Sequence, residues 1–157
     1  MPLRLIKNNP LSKERLQPEN MLKRLVFLNL MLLVLLPVSA KVNYITTQHF
    51  KDSVFDYVHE KQWQYKGKLP CVIDFYTTWC GPCKRLAPIM EELSEQYAGK
   101  VLFYKSDTEQ ERELAYVFQI SSIPQVLYIP VDGQPILLKG LYPKEEIIKI
   151  IDEHLCQ

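Results

Sequence analysis

Two cysteines stand three residues apart in Thr77-Thr78-Trp79-Cys80-Gly81-Pro82-Cys83-Lys84, between a run of strand-forming residues and a run with helical apolar spacing. No other stretch constrains the chain as much. Residues at i and i+3 share a helix face with β-carbons roughly 5 to 6 Å apart, which is within the reach of a disulfide. Cys80 falls at the expected helix start, where unpaired backbone N–H groups and the helix dipole favour a thiolate. The spacing suits reversible bridging, and metal binding is the competing use of two cysteines so placed.

The elements around this junction follow from apolar periodicity. Cys71–Tyr76 is rich in β-formers and starts after Pro70, as expected of a central strand buried on both faces. The helix that opens at the motif is expected to run to about residue 98, with Leu86, Ile89, Met90, Leu93 and Tyr97 on one side, a kink at Pro88 and Gly99 as its stop. Upstream, the pattern predicts an edge strand over 42–46, a helix over 48–63 carried by Phe50, Val54, Tyr57 and Val58, and a polar linker over 64–69 containing Gly67. Downstream it predicts a strand over 101–105, a short helix over 109–118 and a strand over 126–129. An Asp132-Gly133 turn then leads into a strand over 136–138, and a last amphipathic helix covers 145–155. The order βαβαβαββα describes an α/β fold, a central mixed β-sheet flanked by helices with one antiparallel hairpin at its end.

Residues 21–40 have the layout of a secretory signal peptide: Lys23 and Arg24, an apolar run over 25–36, then the small-residue site Val38-Ser39-Ala40. Cleavage would make Lys41 the first residue of a domain over 41–157. An uncleaved anchor is the alternative, but about a dozen apolar residues fall short of the ~20 needed to span a bilayer, and no cysteine follows to carry a lipid. Residues 1–20 are polar and punctuated by Pro2, Pro10 and Pro18, which does not suit a segment ahead of a signal. The expectation is a non-native or disordered extension, with Met21 as the start. The destination is secreted or periplasmic.

Charge divides the same way. The whole chain has a formal net charge of +1, but residues 1–40 carry +4 and residues 41–157 carry −3. A mildly acidic domain argues against nucleic-acid binding. Four cysteines are too few for a disulfide framework. Cys71 lies in a strand and Cys156 near the C-terminus, free or bridged to each other. His49, His59 and His154 have no ligand spacing with the cysteines, so no metal is expected.

From Lys41 onward the chain resembles the thioredoxin family, over about residues 44–155. The resemblance rests on an ordered set: Asp74-Phe75-Tyr76, Trp79-Cys80-Gly81-Pro82-Cys83-Lys84, Pro88, Lys105 with Asp107, Ile123-Pro124 and Gly140. It implies a protein-disulfide reductase that needs no cofactor beyond a redox-active Cys80–Cys83 disulfide. In that reading Cys80, the more exposed thiol, is the nucleophile and Cys83 the resolving thiol. Asp74 is a buried acid and base, with Lys105 as its charge neighbour. Trp79, Gly81, Pro82, Ile123, Pro124 and Gly140 border the substrate, Ile123-Pro124 as a cis-proline loop. An oxidase or isomerase of the same fold, or a non-catalytic binding module, are the alternatives. Tyr76, Thr77-Thr78, Ser121-Ser122 and Gln125 depart from the commoner family residues and bear on partner choice, and the stretch over 60–69, with Trp63 and Tyr65, is an expansion relative to compact family members, expected to be a surface loop. The implied partners are proteins with disulfides and a membrane-embedded thiol reductase as electron donor. The domain itself is expected to be a monomer that does not span the membrane.

Overall fold

The computed structural model describes residues 41–156 and, ahead of them, Lys23 and Val26, both helical. The remainder of the expected signal segment, its expected cleavage site, the expected extension before it and Gln157 lie outside the described residues. From residue 41 the elements are β1 (Asn43–Tyr44), α1 (Thr47–Ser53), β2 (Cys71–Tyr76), α2 (Gly81–Gln96), β3 (Leu102–Asp107), α3 (Arg112–Val117), β4 (Gln125–Ile129), β5 (Ile136–Lys139) and α4 (Lys144–His154). This is the expected order. The five strands form one sheet in the order β1-β3-β2-β4-β5. β3 runs parallel to β1 and β2, whereas β4 runs antiparallel to β2 and β5.

Alternation along β2 divides the core into two layers, because successive strand side chains point to opposite faces. Val72 shares one layer with Phe103, Val126 and Tyr128 of the sheet, Leu86, Met90 and Leu93 of α2, and Ile147 and Ile151 of α4. Cys71, Ile73 and Phe75 share the other with Leu127, Ile129, Phe50 and Leu114. Asp74 has the parity of Val72 and so lies on the face that α2 covers. Gly99 takes φ +74 just beyond α2, a left-handed backbone that glycine adopts without a Cβ penalty. Pro88 sits inside α2, which runs from Gly81 to Gln96 without interruption.

Three expectations need correction. The strand over 42–46 shrinks to Asn43–Tyr44, since the Val42 N–H donates to Glu91 Oε2 at 3.2 Å and Thr46 Oγ1 caps α1 by accepting from His49 N. The helix over 48–63 ends at Ser53. There the Ser53 hydroxyl donates to His49 O at 2.6 Å, and Asp56 starts a separate turn by accepting the Val58 N–H on its carboxylate. His59 therefore lies in that turn, against Asp56, while His49 stays within α1. The helix over 109–118 begins only at Arg112, because Asp107 first gathers the N–H groups of Glu109, Gln110 and Glu111 into a turn.

Nor is the loop over 60–69 a plain surface excursion. Trp63 and Tyr65 pack on the second core layer, Trp63 against Phe55 with ring centroids 4.7 Å apart. Tyr65 donates to Leu69 O at 2.6 Å, and the Lys66 N–H donates to Val54 O at 2.9 Å. The Tyr65 ring lies so close over Gly67 that a Cβ there would come within 2.2 Å of its hydroxyl. The segment is a packed strap. Trp63→Ala is expected to lower the unfolding free energy by roughly 2 to 4 kcal/mol in urea titration, whereas a loose surface loop would yield a change within about 0.5 kcal/mol.

Candidate active site

Strand register assembles the site at one end of the sheet. Tyr76 at the end of β2 pairs with Asp107 at the end of β3. Phe75 pairs with Gln125 at the start of β4, and Gln125 pairs with Lys139 at the end of β5. The segments leaving or entering those positions are Thr77 to Cys80, the turn after Asp107, Ile123-Pro124, and Gly140. Residues scattered over more than sixty positions of sequence thus share one rim. Such a rim is where ligands of open α/β sheets bind.

Cys80 is the N-cap of α2, with the extended backbone of a cap (φ −70°, ψ 112°), and Pro82 sits in the first turn, where a missing N–H costs nothing. The Cys80 sulfur accepts the Cys83 N–H at 3.2 Å and is bonded to Cys83 Sγ, with the two Cα atoms 5.3 Å apart. This is the bridge that the spacing allowed. With the bridge formed both residues are nearly buried, Cys80 at 4% and Cys83 at 3% accessible. Gly81 and Pro82 are exposed beside the bridge, and Trp79 is 66% exposed. The Trp79 indole N–H donates to Glu109 Oε1 at 3.0 Å, which steadies the ring. Glu109 was not a sequence candidate.

Asp74 is 4% accessible, and its Oδ1 has no hydrogen-bond partner among the described residues. Burial pushes its carboxyl up to about 7, with the Lys105 charge pulling the other way. Lys105 is its register partner on β3. The Lys105 ammonium, however, pairs with Glu91 Oε1 at 3.8 Å and lies 4.6 Å from the centroid of the Tyr44 ring. It acts on Asp74 through space, without closing an ion pair.

The Ile123-Pro124 peptide is cis. Pro124 is buried, Ile123 is half-buried, and the Pro124 carbonyl accepts the Gly140 N–H at 2.8 Å, which joins two of the candidate positions directly. Gln125 is fully buried, and its side-chain amide donates to Ser122 Oγ at 3.2 Å. Cys71 and Cys156 are both free thiols, Cys71 buried and Cys156 exposed, so they do not bridge. Burial pushes the Cys71 thiol up to about 12, which makes it inert as a nucleophile. Among the described residues no group of three His, Cys, Asp or Glu side chains is placed to hold a metal ion. Nor is any helix among them long and apolar enough to cross a membrane.

Comparison with known proteins agrees with this arrangement. A family model described as thioredoxin matches residues 41–153. The chain is 41% identical over 109 residues to a thioredoxin of Borreliella burgdorferi, covering 69% of this chain and 93% of the relative. It is 40% identical over 85 residues to a thioredoxin of Staphylococcus aureus, covering 54% of this chain and 81% of the relative. Among solved structures, a chloroplastic thioredoxin z matches with a TM-score of 0.61 at 25% identity, covering 72% of this chain and 93% of that one.

Proposed function

The chain belongs to the thioredoxin family and is a thiol-disulfide oxidoreductase, and on that premise we propose that it reduces protein disulfides in the cell envelope through Cys80 and Cys83. The observation that carries the reading is the Cys80 sulfur held at the N-cap of α2, accepting the Cys83 N–H. An amide donor and a helix N-terminus both favour sulfur as thiolate, the nucleophilic form.

In the reduced protein the Cys80 thiolate attacks one sulfur of a substrate disulfide. That bond breaks, its second sulfur leaves as a thiolate and takes a proton from water, and a mixed disulfide joins Cys80 to the substrate. Asp74 accepts the Cys83 proton, and Cys83 sulfur attacks Cys80 Sγ. The mixed disulfide breaks, the substrate departs with both sulfurs reduced, and Cys80 is bridged to Cys83 as in this structure. Two electrons pass from protein to substrate. A carboxyl held near 7 is matched to this proton transfer, since an acid–base group works best with its pKa close to the operating pH. Ile123, Pro124 and Gly140 border the same rim as the bridge and offer an extended substrate segment a place beside it.

Gly81 and Pro82, exposed and small, put little bulk beside the bridge and support the reductive direction. Residues 21–40 support export. An exported reductant works in an oxidising compartment and needs its own electron source, which points to a membrane-embedded thiol reductase as donor. Two measurements test the proposal. The Cys80/Cys83 potential is expected near about −270 mV, as for thioredoxin, and a value near about −120 mV would reverse the direction. Cys83→Ser, which stops the reaction at the mixed disulfide, is expected to accumulate covalent adducts at Cys80 with envelope proteins. Adducts with cytosolic proteins alone would remove the envelope assignment.

A further inference from the structure

A row of side chains crosses the sheet on the face under α2: Tyr44 of β1, Lys105 of β3, Asp74 of β2 and Val126 of β4 are successive register partners. It contains one buried acid and one cation, side by side on neighbouring strands. Buried carboxylates are ordinarily paired, and a lysine in the adjacent position is the natural partner. Here the lysine is engaged elsewhere. Its ammonium is drawn to Glu91 Oε1 from α2 and over the Tyr44 ring, while Asp74 Oδ1 has no hydrogen-bond partner among the described residues. Glu91 is itself fixed, because its other oxygen accepts the Val42 N–H at 3.2 Å. A carboxylate 45% exposed at its side chain is thus tied at both oxygens, one to a backbone amide and one to the lysine.

We propose that Glu91 is a positioning residue of the redox reaction: by holding the Lys105 ammonium off Asp74, it keeps that carboxyl able to take up and give back the proton of Cys83. The proposal rests on the reading of Asp74 as the acid and base of the resolving step. An unrestrained Lys105 would lean inward, stabilise Asp74 as a permanent carboxylate, and make it a poorer base at neutral pH. Tyr44 adds a second restraint on the same ammonium through the face of its ring. The groups that act on or respond to Asp74 are Lys105 from β3, Tyr128 from β4 and Tyr76 from its own strand. Both tyrosine hydroxyls are raised well above their ordinary value, chiefly by burial, and stay neutral through the pH range that matters. Lys105 is therefore the charge whose position decides the matter, and Glu91 is the charge that sets that position.

The test is the titration of the Asp74 side-chain carboxyl by carbon-detected NMR in the oxidised protein. Four forms are compared: wild type, Glu91→Gln, Lys105→Met and the double variant. Glutamine retains an oxygen for the Val42 N–H but has no charge to hold the lysine. The Asp74 midpoint is expected to fall by about half a pH unit or more in Glu91→Gln and to rise in Lys105→Met. In the double variant it should match Lys105→Met alone. The pH profile of disulfide reduction should move with the midpoint, which a purely structural role for Glu91 would not produce. An unchanged midpoint in Glu91→Gln overturns the proposal. So does the same fall with Lys105 absent, because Glu91 would then act as a distant charge and not through the lysine. Asp74→Asn separates the two readings. If its rate and pH profile equal the wild type, Asp74 is not the acid and base, while the titrations still decide whether Glu91 governs its proton.

Discussion

Cys80→Ser is expected to reduce disulfide turnover by roughly a thousandfold or more while leaving the domain folded. A serine hydroxyl is not ionised near neutral pH and forms no mixed disulfide, so the first chemical step is lost outright. The fold should tolerate the change for a specific reason. Cys80 is the N-cap of α2, and its side chain accepts the Cys83 N–H. Serine is among the best N-cap residues and supplies an oxygen for the same donor. Loss of the bridge costs little, because a disulfide closing so short a loop removes little unfolded-state entropy. Reduction of a model protein disulfide, with circular dichroism and urea unfolding run in parallel, checks both halves. Retained turnover would move the nucleophile elsewhere, and lost folding would mean that the bridge is structural.

Much of this site is legible in the sequence, and what is legible is local. The junction of a β-rich run with a helix start places Cys80 and Cys83 at the start of α2, where the structure has Cys80 as N-cap and Cys83 in the first turn. Asp74 stands out as a lone acid in an apolar strand, and register then puts it beside Lys105. Ile123-Pro124 and Gly140 are named by the family pattern, and the sheet rim joins them. The parts that were missed are contacts between distant segments. Trp79 and Glu109 are 30 residues apart and meet only because β3 delivers the turn after Asp107 to the rim. Glu91 reads on sequence as one more exposed helix charge, until α2 packs across the sheet and sets it over Lys105.

The same reasoning explains the overlong helix expected over 48–63. Phe50, Val54, Tyr57 and Val58 keep helical spacing on paper, but Asp56 and Ser53 offer the backbone local partners that compete with helix. Trp63 and Tyr65 then bury against the core from a strap, which apolar spacing alone does not distinguish from a helix face.

Asp74→Asn carries the second large effect, and it acts on stability and activity in opposite senses. In the folded, oxidised protein burial holds the Asp74 carboxyl at about 7, against 3.8 as its ordinary value. Between those values the native state keeps a proton that the unfolded chain has released, so native binds more protons than unfolded and stability falls as pH rises through the window. Below about pH 4 both states are protonated and the penalty vanishes; above about pH 7 it is complete, at an upper figure of about 4 kcal/mol. Asparagine is neutral throughout and carries no such pH-dependent cost. Urea unfolding should therefore find Asp74→Asn more stable than wild type by a few kcal/mol at pH 8, with the advantage shrinking steadily down to pH 4. Turnover should move the other way. Without a carboxylate to take the Cys83 proton, resolution is expected to slow by roughly ten- to a hundredfold, near the lower end of acid–base effects because a thiol ionises fairly readily unaided. A stability gain independent of pH would mean that Asp74 is charged at all these pH values, and an unchanged rate would mean that the proton leaves Cys83 by another path.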